Sequence, residues 1–181
     1  KGKTKFYARN SAGKYKMDID EIRTSFSLSE SITEKIKSFR RERLSIIESG
    51  ETPIILKNKA KIVLHIIPFN SIDKSSNYDL SFLINQENSN LLRTIIAESI
   101  NYKYNVDGLV IHDPHGFSYT QIFRQGIIEA VSHPSWGSGD SIPGYAYEDW
   151  LLKTIKNYLE ILNKLNIDFP IIIMLSLMGV K

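Results

Sequence analysis

His112-Asp113-Pro114-His115 sets two imidazoles and a carboxylate around a tight turn, donors that suit zinc, iron or manganese. A further ligand would have to come from elsewhere, and His133 is the nearby candidate. The carboxylates of Asp107, Asp113 and Glu129 could converge across adjacent antiparallel strands and hold magnesium for phosphodiester cleavage. Each reading competes with a plainer one, a polar turn or ordinary strand ends, and no spacing rule decides for the metal. His65 lies in an apolar run and reads as a half-buried structural residue. Neither Ser118 nor Ser176 sits in a G-x-S-x-G elbow. There is no cysteine, which excludes disulfides, thiolate zinc sites and cysteine nucleophiles.

Phosphate is the other chemistry to weigh. Gly13-Lys14 could belong to a phosphate loop, in which glycine amides wrap the phosphates and a Ser or Thr after the lysine holds magnesium. Here Ala8 stands where the first glycine should be, and Tyr15 follows the lysine. Asp18, Asp20 and Glu21 then open the next helix and would repel an anion there. Gly13-Lys14 therefore reads as a surface turn. A second candidate is KIKSFRRER, where Lys35, Lys37, Arg40, Arg41 and Arg43 give a helix a broad basic face. Glu34, Glu42 and Glu48 could pair with it and leave only a solvated surface.

The elements that would position these residues follow from periodicity and turn chemistry. Lys5–Arg9 reads as a short strand. Asp18 and Glu21 form a capping box for a helix over Ile19–Phe26. Ser27-Leu28-Ser29 breaks it, and a second helix covers Glu30–Glu48, with Ile32, Ile36, Phe39 and Ile47 near one face, until Gly50 stops it. Pro53–Leu56 and Lys61–Pro68 suggest a hairpin around Lys57-Asn58-Lys59. Residues 70–78 read as a linker, Asp79–Ile84 as a short strand and Leu91–Ile100 as a helix. Val106–His112, Phe117–Arg124 and Ile127–Val131 make a β-meander. After a Gly/Ser/Pro loop at 132–144, an amphipathic helix spans Tyr145–Leu165, with Trp150, Leu151, Ile155, Tyr158, Leu159 and Leu162 as its apolar stripe. Pro170 precedes a strand over Ile171–Leu177. The class is α+β: antiparallel sheets with helices packed on one side, and a long amphipathic helix followed by a buried C-terminal strand.

The 181 residues suffice for one good-sized domain or two small ones, and 42% hydrophobic with 24% charged is an ordinary globular balance. Residues 1–62 hold 15 Lys/Arg against 8 Asp/Glu, while 63–181 hold 8 against 12. A basic first third points to an anionic partner on that side. No apolar run is long enough to span a membrane, and no signal peptide opens the chain. A cytoplasmic location is expected. Lys1 in place of Met, and the apolar ending FPIIIMLSLMGV, lead to the expectation of a piece cut from a longer protein.

KFYARNSAGKYKMDIDEIRTSF and the following ERL, ETPIIL and KIVLHIIPF segments resemble the tail of a bacterial family with an Alba-type, Schlafen-like DNA-binding domain, often labelled helix-turn-helix or ATP-binding. Phe6, Tyr7, Arg9, Asn10, Ser11 and Gly13 carry the likeness, and NVDGLVIHD, YTQIFRQGIIEAV and PIIIMLSLMGV extend it over most of the chain. No catalytic motif comes with it, and the ATP-binding label finds no phosphate loop here. The resemblance implies that 1–70 is the tail of a nucleic-acid-binding domain bearing the basic helix, and 79–181 an α+β accessory domain. It places Arg9, Asn10 and Lys14 at the border of the nucleic-acid-facing domain. The expectation is thus a non-catalytic accessory region that contacts phosphates through Arg9, Lys14, Lys35, Lys37, Arg40, Arg41 and Arg43, with no cofactor. The alternatives are a metal-dependent hydrolase or nuclease using His112, Asp113, His115 and Glu129, or an interaction domain that pairs with a protein partner or a second copy through its C-terminal half.

Overall fold

After Lys61, the run to Pro68 is apolar on both faces apart from His65, the pattern of a strand with neighbours on either side. In the computed structural model, which describes residues 5–56, 60–72, 76–88, 90–96, 100–133 and 144–179, it takes that place. The strands are β1 (Tyr7–Asn10), β2 (Gly13–Lys16), β3 (Lys61–Pro68), β4 (Asn101–Tyr104), β5 (Gly108–His112), β6 (Ser118–Phe123), β7 (Ile128–Ser132) and β8 (Ile171–Met178). The helices are α1 (Ile19–Ser49) and α2 (Gly144–Lys164). β1 and β2 form a two-stranded ribbon, and the rest form one antiparallel sheet in the order β4-β5-β6-β7-β3-β8. The fold is α+β.

The chain divides into two compact units, 1–39 and 40–181, at a boundary that falls within α1. In the larger unit, Ile62, Leu64, Ile66, Leu109, Ile111, Ile122, Ile128 and Ala130 cluster with Tyr147, Tyr158, Ile161, Leu162 and Leu165 of α2. The opposite face carries Val63, Val110, Tyr119 and Val131, which cluster with Leu44 and Ile47 at the end of α1. Helices therefore cover both faces, not one. Strand β3, from the first of the two expected regions, bonds to β7 and β8 from the second.

Several local expectations give way to identifiable forces. The break expected at Ser27-Leu28-Ser29 is absent and α1 is continuous. Serine costs a helix only tenths of a kcal/mol, and the Ser25 and Thr33 hydroxyls donate to the carbonyls of Glu21 and Ser29. Pro53–Leu56 is not a strand; β7 and β8 already flank β3 on both sides, and the Lys57-Asn58-Lys59 turn lies outside the described residues. Ser81–Ile84 is a 3-10 turn, not a strand, with Asp79 accepting from the Ser81 amide and hydroxyl. No described residue of 91–96 is helical; the Arg93 carbonyl accepts from the Thr120 and Tyr158 hydroxyls. The 132–144 loop lies largely outside the described residues.

The capping box does form. The Glu21 amide donates to Asp18 Oδ1 at 2.8 Å, and the Asp18 amide to Glu21 Oε2 at 2.9 Å. Gly50, at φ +82°, ends α1 while the Glu51 amide reaches back to the Ile46 carbonyl. Asp18→Ala should cost about 1 kcal/mol of helix-start stability, read as faster amide exchange over residues 19–22. Gly108 has φ +152°, and a β-carbon there would collide with the Ile122 carbonyl oxygen. Gly108→Ala should therefore lower stability by about 2–3 kcal/mol in urea unfolding.

Candidate nucleic-acid interface

The β1–β2 ribbon turns through Ser11-Ala12, with Asn10 Oδ1 accepting from the Ala12 amide at 3.0 Å and Gly13 at φ +119°. In its register Tyr7 faces Lys16 and Arg9 faces Lys14. Directly opposed residues share a face and alternate residues along a strand do too. Tyr7, Arg9, Lys14 and Lys16 therefore lie together on one face. All four are exposed, and the Lys14 ammonium sits 4.5 Å from the Tyr7 ring centroid. No acidic residue occurs from Lys5 to Met17. Like charges directly opposite destabilise a ribbon, so Arg9 against Lys14 is an arrangement that an anion would relieve.

The other face of the ribbon meets the start of α1. Phe6 and Phe26 stand edge to face at 6.4 Å, and with Met17 and Ile22 they line an apolar pocket of about 230 Å³. Tyr15 Oη donates to Glu21 at 3.3 Å. Gly13-Lys14 thus opens a strand. Sequence reasoning did not place Tyr7 and Lys16 in the site, because it took Gly13-Lys14 for a turn and so lacked the second strand that aligns them.

The basic run of α1 is split. Lys35, Lys37 and Arg41 are exposed, and Lys37 pairs with Glu34 at 2.8 Å. Arg40 instead donates to Ser176 Oγ, at 2.8 Å from Nη2. Arg43 grips Glu129 with a two-pronged fork, both bonds 2.8 Å. Positions 40, 43, 44 and 47 have the spacing of one helix face, and that face is turned to the sheet. Phosphate contact by Arg43 would first require breaking the fork. The apolar pair Leu44 and Ile47 on the same stripe was the signal for this.

Glu129 is the centre of a buried cluster. It lies in β7 directly opposite His65 of β3, whose Nε2 is 3.1 Å from Oε2. The Tyr119 hydroxyl donates to Oε1 at 2.9 Å. The Glu129 and His65 side chains are 0% exposed and that of Arg43 14%. Burial alone pushes the Glu129 carboxyl up, but the hydrogen bonds and charges of Arg43 and His65 outweigh it and hold the carboxyl at about 2. Burial and the neighbouring carboxylate push the Tyr119 hydroxyl well up, so it stays a neutral donor. A carboxylate so enclosed, held by Arg43, His65 and Tyr119 together, is a clamp between α1 and the sheet.

The candidate metal ligands do not gather among the described residues. Asp113 Oδ2 accepts from the His115 and Phe117 amides at 3.0 and 2.8 Å, so this carboxylate shapes the turn. His112 Nδ1 lies 3.1 Å from the Asp113 carbonyl, and the His133 ring packs against Phe117 at 5.3 Å. Asp107 is exposed while Glu129 is buried with Arg43. Among the described residues no three His, Cys, Asp or Glu side chains are placed to share a metal ion.

Compared with protein families, with curated proteins and with solved structures, the chain matches none. Among the described residues no helix is long and apolar enough to cross a membrane.

Proposed function

We propose that this chain is a non-catalytic region that contacts the phosphate backbone of nucleic acid through the cationic face of the β1–β2 ribbon. The observation that carries the reading is the register that sets Arg9 opposite Lys14 and Lys16 beside Tyr7. Four exposed side chains on one short ribbon combine positive charge with an aromatic ring, the pairing that tracks a sugar–phosphate chain. Lys35 and Lys37, in the same unit, are further exposed cations on α1. The resemblance to Schlafen-like DNA-binding proteins supports the same direction. Contacts of this kind position a backbone and carry no base specificity.

The test is fluorescence anisotropy with short DNA and RNA at about 50 and 200 mM salt, a range over which phosphate contacts weaken steeply. Binding at the lower concentration that falls at the higher one is expected. Absence of binding at low salt, or binding indifferent to salt, would overturn the reading.

A further inference from the structure

The two edges of the six-stranded sheet differ. β4 is four residues long, exposed throughout, and carries Lys103. Short length and a lysine are the usual guards of an open edge. β8 has neither. Its eight residues, IIIMLSLM, contain no charge and no proline, and its ladder to β3 runs from Lys61↔Met178 to Pro68↔Ile171 without a bulge. Ile173, Leu175 and Leu177 are 45%, 50% and 54% exposed, yet their partners Ile66, Leu64 and Ile62 on β3 are buried. The apolar layer that packs with α2 closes over β3 and leaves the next row bare. On the opposite face of β8, Ser176 is covered and bonded to Arg40.

We propose that β8 is a pairing edge for a second copy of this chain, whose own β8 lies antiparallel to it about a two-fold axis. Any occupant must offer an extended backbone and an apolar row without charges. A second β8 offers both, and the absence of charge on Ile171–Met178 means that no like charges meet. Opposed residues must point to the same face, so a slip of one residue is forbidden. An axis through Leu175 sets it against its own counterpart, and Ile173 against Leu177 of the second copy. Three half-open side chains and one strand edge bury far less than the roughly 800 Å² per partner of a standard interface. The dimer is therefore weak and concentration-dependent, and because the edge is consumed by pairing the assembly stops at two.

Sedimentation velocity of the whole chain, from about 1 to 200 µM, a range suited to a weak interface, reads this directly. The expected result is a monomer passing to a dimer, with Leu175→Lys monomeric throughout and Tyr102→Lys, on the other edge, dimerising as before. Circular dichroism should show both variants folded, since each replaces a side chain that is half exposed. Should Leu175→Lys misfold, amide exchange of the unaltered chain supplies the answer: protection over 171–178 should rise with concentration. A monomer at the highest concentration, association that survives Leu175→Lys, exchange over 171–178 that ignores concentration, or growth beyond a dimer would each overturn the proposal.

Discussion

Arg43→Met should destabilise the native state by about 3–5 kcal/mol, the cost of leaving a buried charge without its partner. Glu129 has no route to water, since its side chain is wholly buried and its oxygens are taken up by Arg43, His65 and Tyr119. The pair Arg43→Met with Glu129→Leu should recover only part of the loss: the unpaired charge is gone, but the buried Tyr119 hydroxyl and His65 Nε2 lose their acceptor. Urea unfolding of the three proteins near neutral pH measures both effects. The pH dependence has a fixed sign. Folding lowers the Glu129 carboxyl from its ordinary 4.5 to about 2, so the unfolded chain takes up the proton first as pH falls. The stabilisation is complete above about pH 4.5 and is lost on descending to about 2. A shift of this size corresponds to ~3 kcal/mol, and removing both partners should flatten the stability curve in that window.

The triple change Arg9→Glu, Lys14→Glu and Lys16→Glu should have the largest effect on nucleic-acid binding. Each phosphate contact contributes about −0.9 to the slope of log affinity against log salt for duplex DNA. Three contacts give a slope near −2.7, about a 40-fold weakening between 50 and 200 mM. The reversed ribbon should lose that sensitivity and bind weakly at every salt. All three side chains are exposed, so the fold should survive, and circular dichroism checks this. Lys35→Glu should have a smaller effect, as one exposed cation among several in that unit.

The sequence was most legible where periodicity and turn chemistry agreed. The meander of β5, β6 and β7, the amphipathic α2, the capping box at Asp18 and the glycine stop at Gly50 were all readable in advance. The failures have physical causes. Strand β4, Asn-Tyr-Lys-Tyr, is exposed throughout and so lacks the alternation that marks a half-buried strand. Leu91, Leu92 and Ile95 are buried, as a helix stripe would be, but there the backbone serves the Tyr158 and Thr120 hydroxyls. The C-terminal strand read as buried because IIIMLSLM is apolar; it lies at an edge, a fact of sheet order that hydropathy does not encode. At the candidate site Arg9 and Lys14 were named from sequence, but their alignment with Tyr7 and Lys16 needed the register. Glu129 was read as a candidate metal carboxylate, although a lone charge in the apolar run IIEAV is also what a buried ion pair looks like. Arg43 proves to be the partner because the Leu44 and Ile47 stripe turns it inward.

The ribbon face is tested most directly by the salt slope of nucleic-acid affinity, measured side by side for the unaltered chain and for the Arg9/Lys14/Lys16 reversal. A slope less steep by about 2.7 in the variant, with the fold intact, is the expected result. Equal slopes in the two proteins would contradict it and remove the β1–β2 ribbon from the interface.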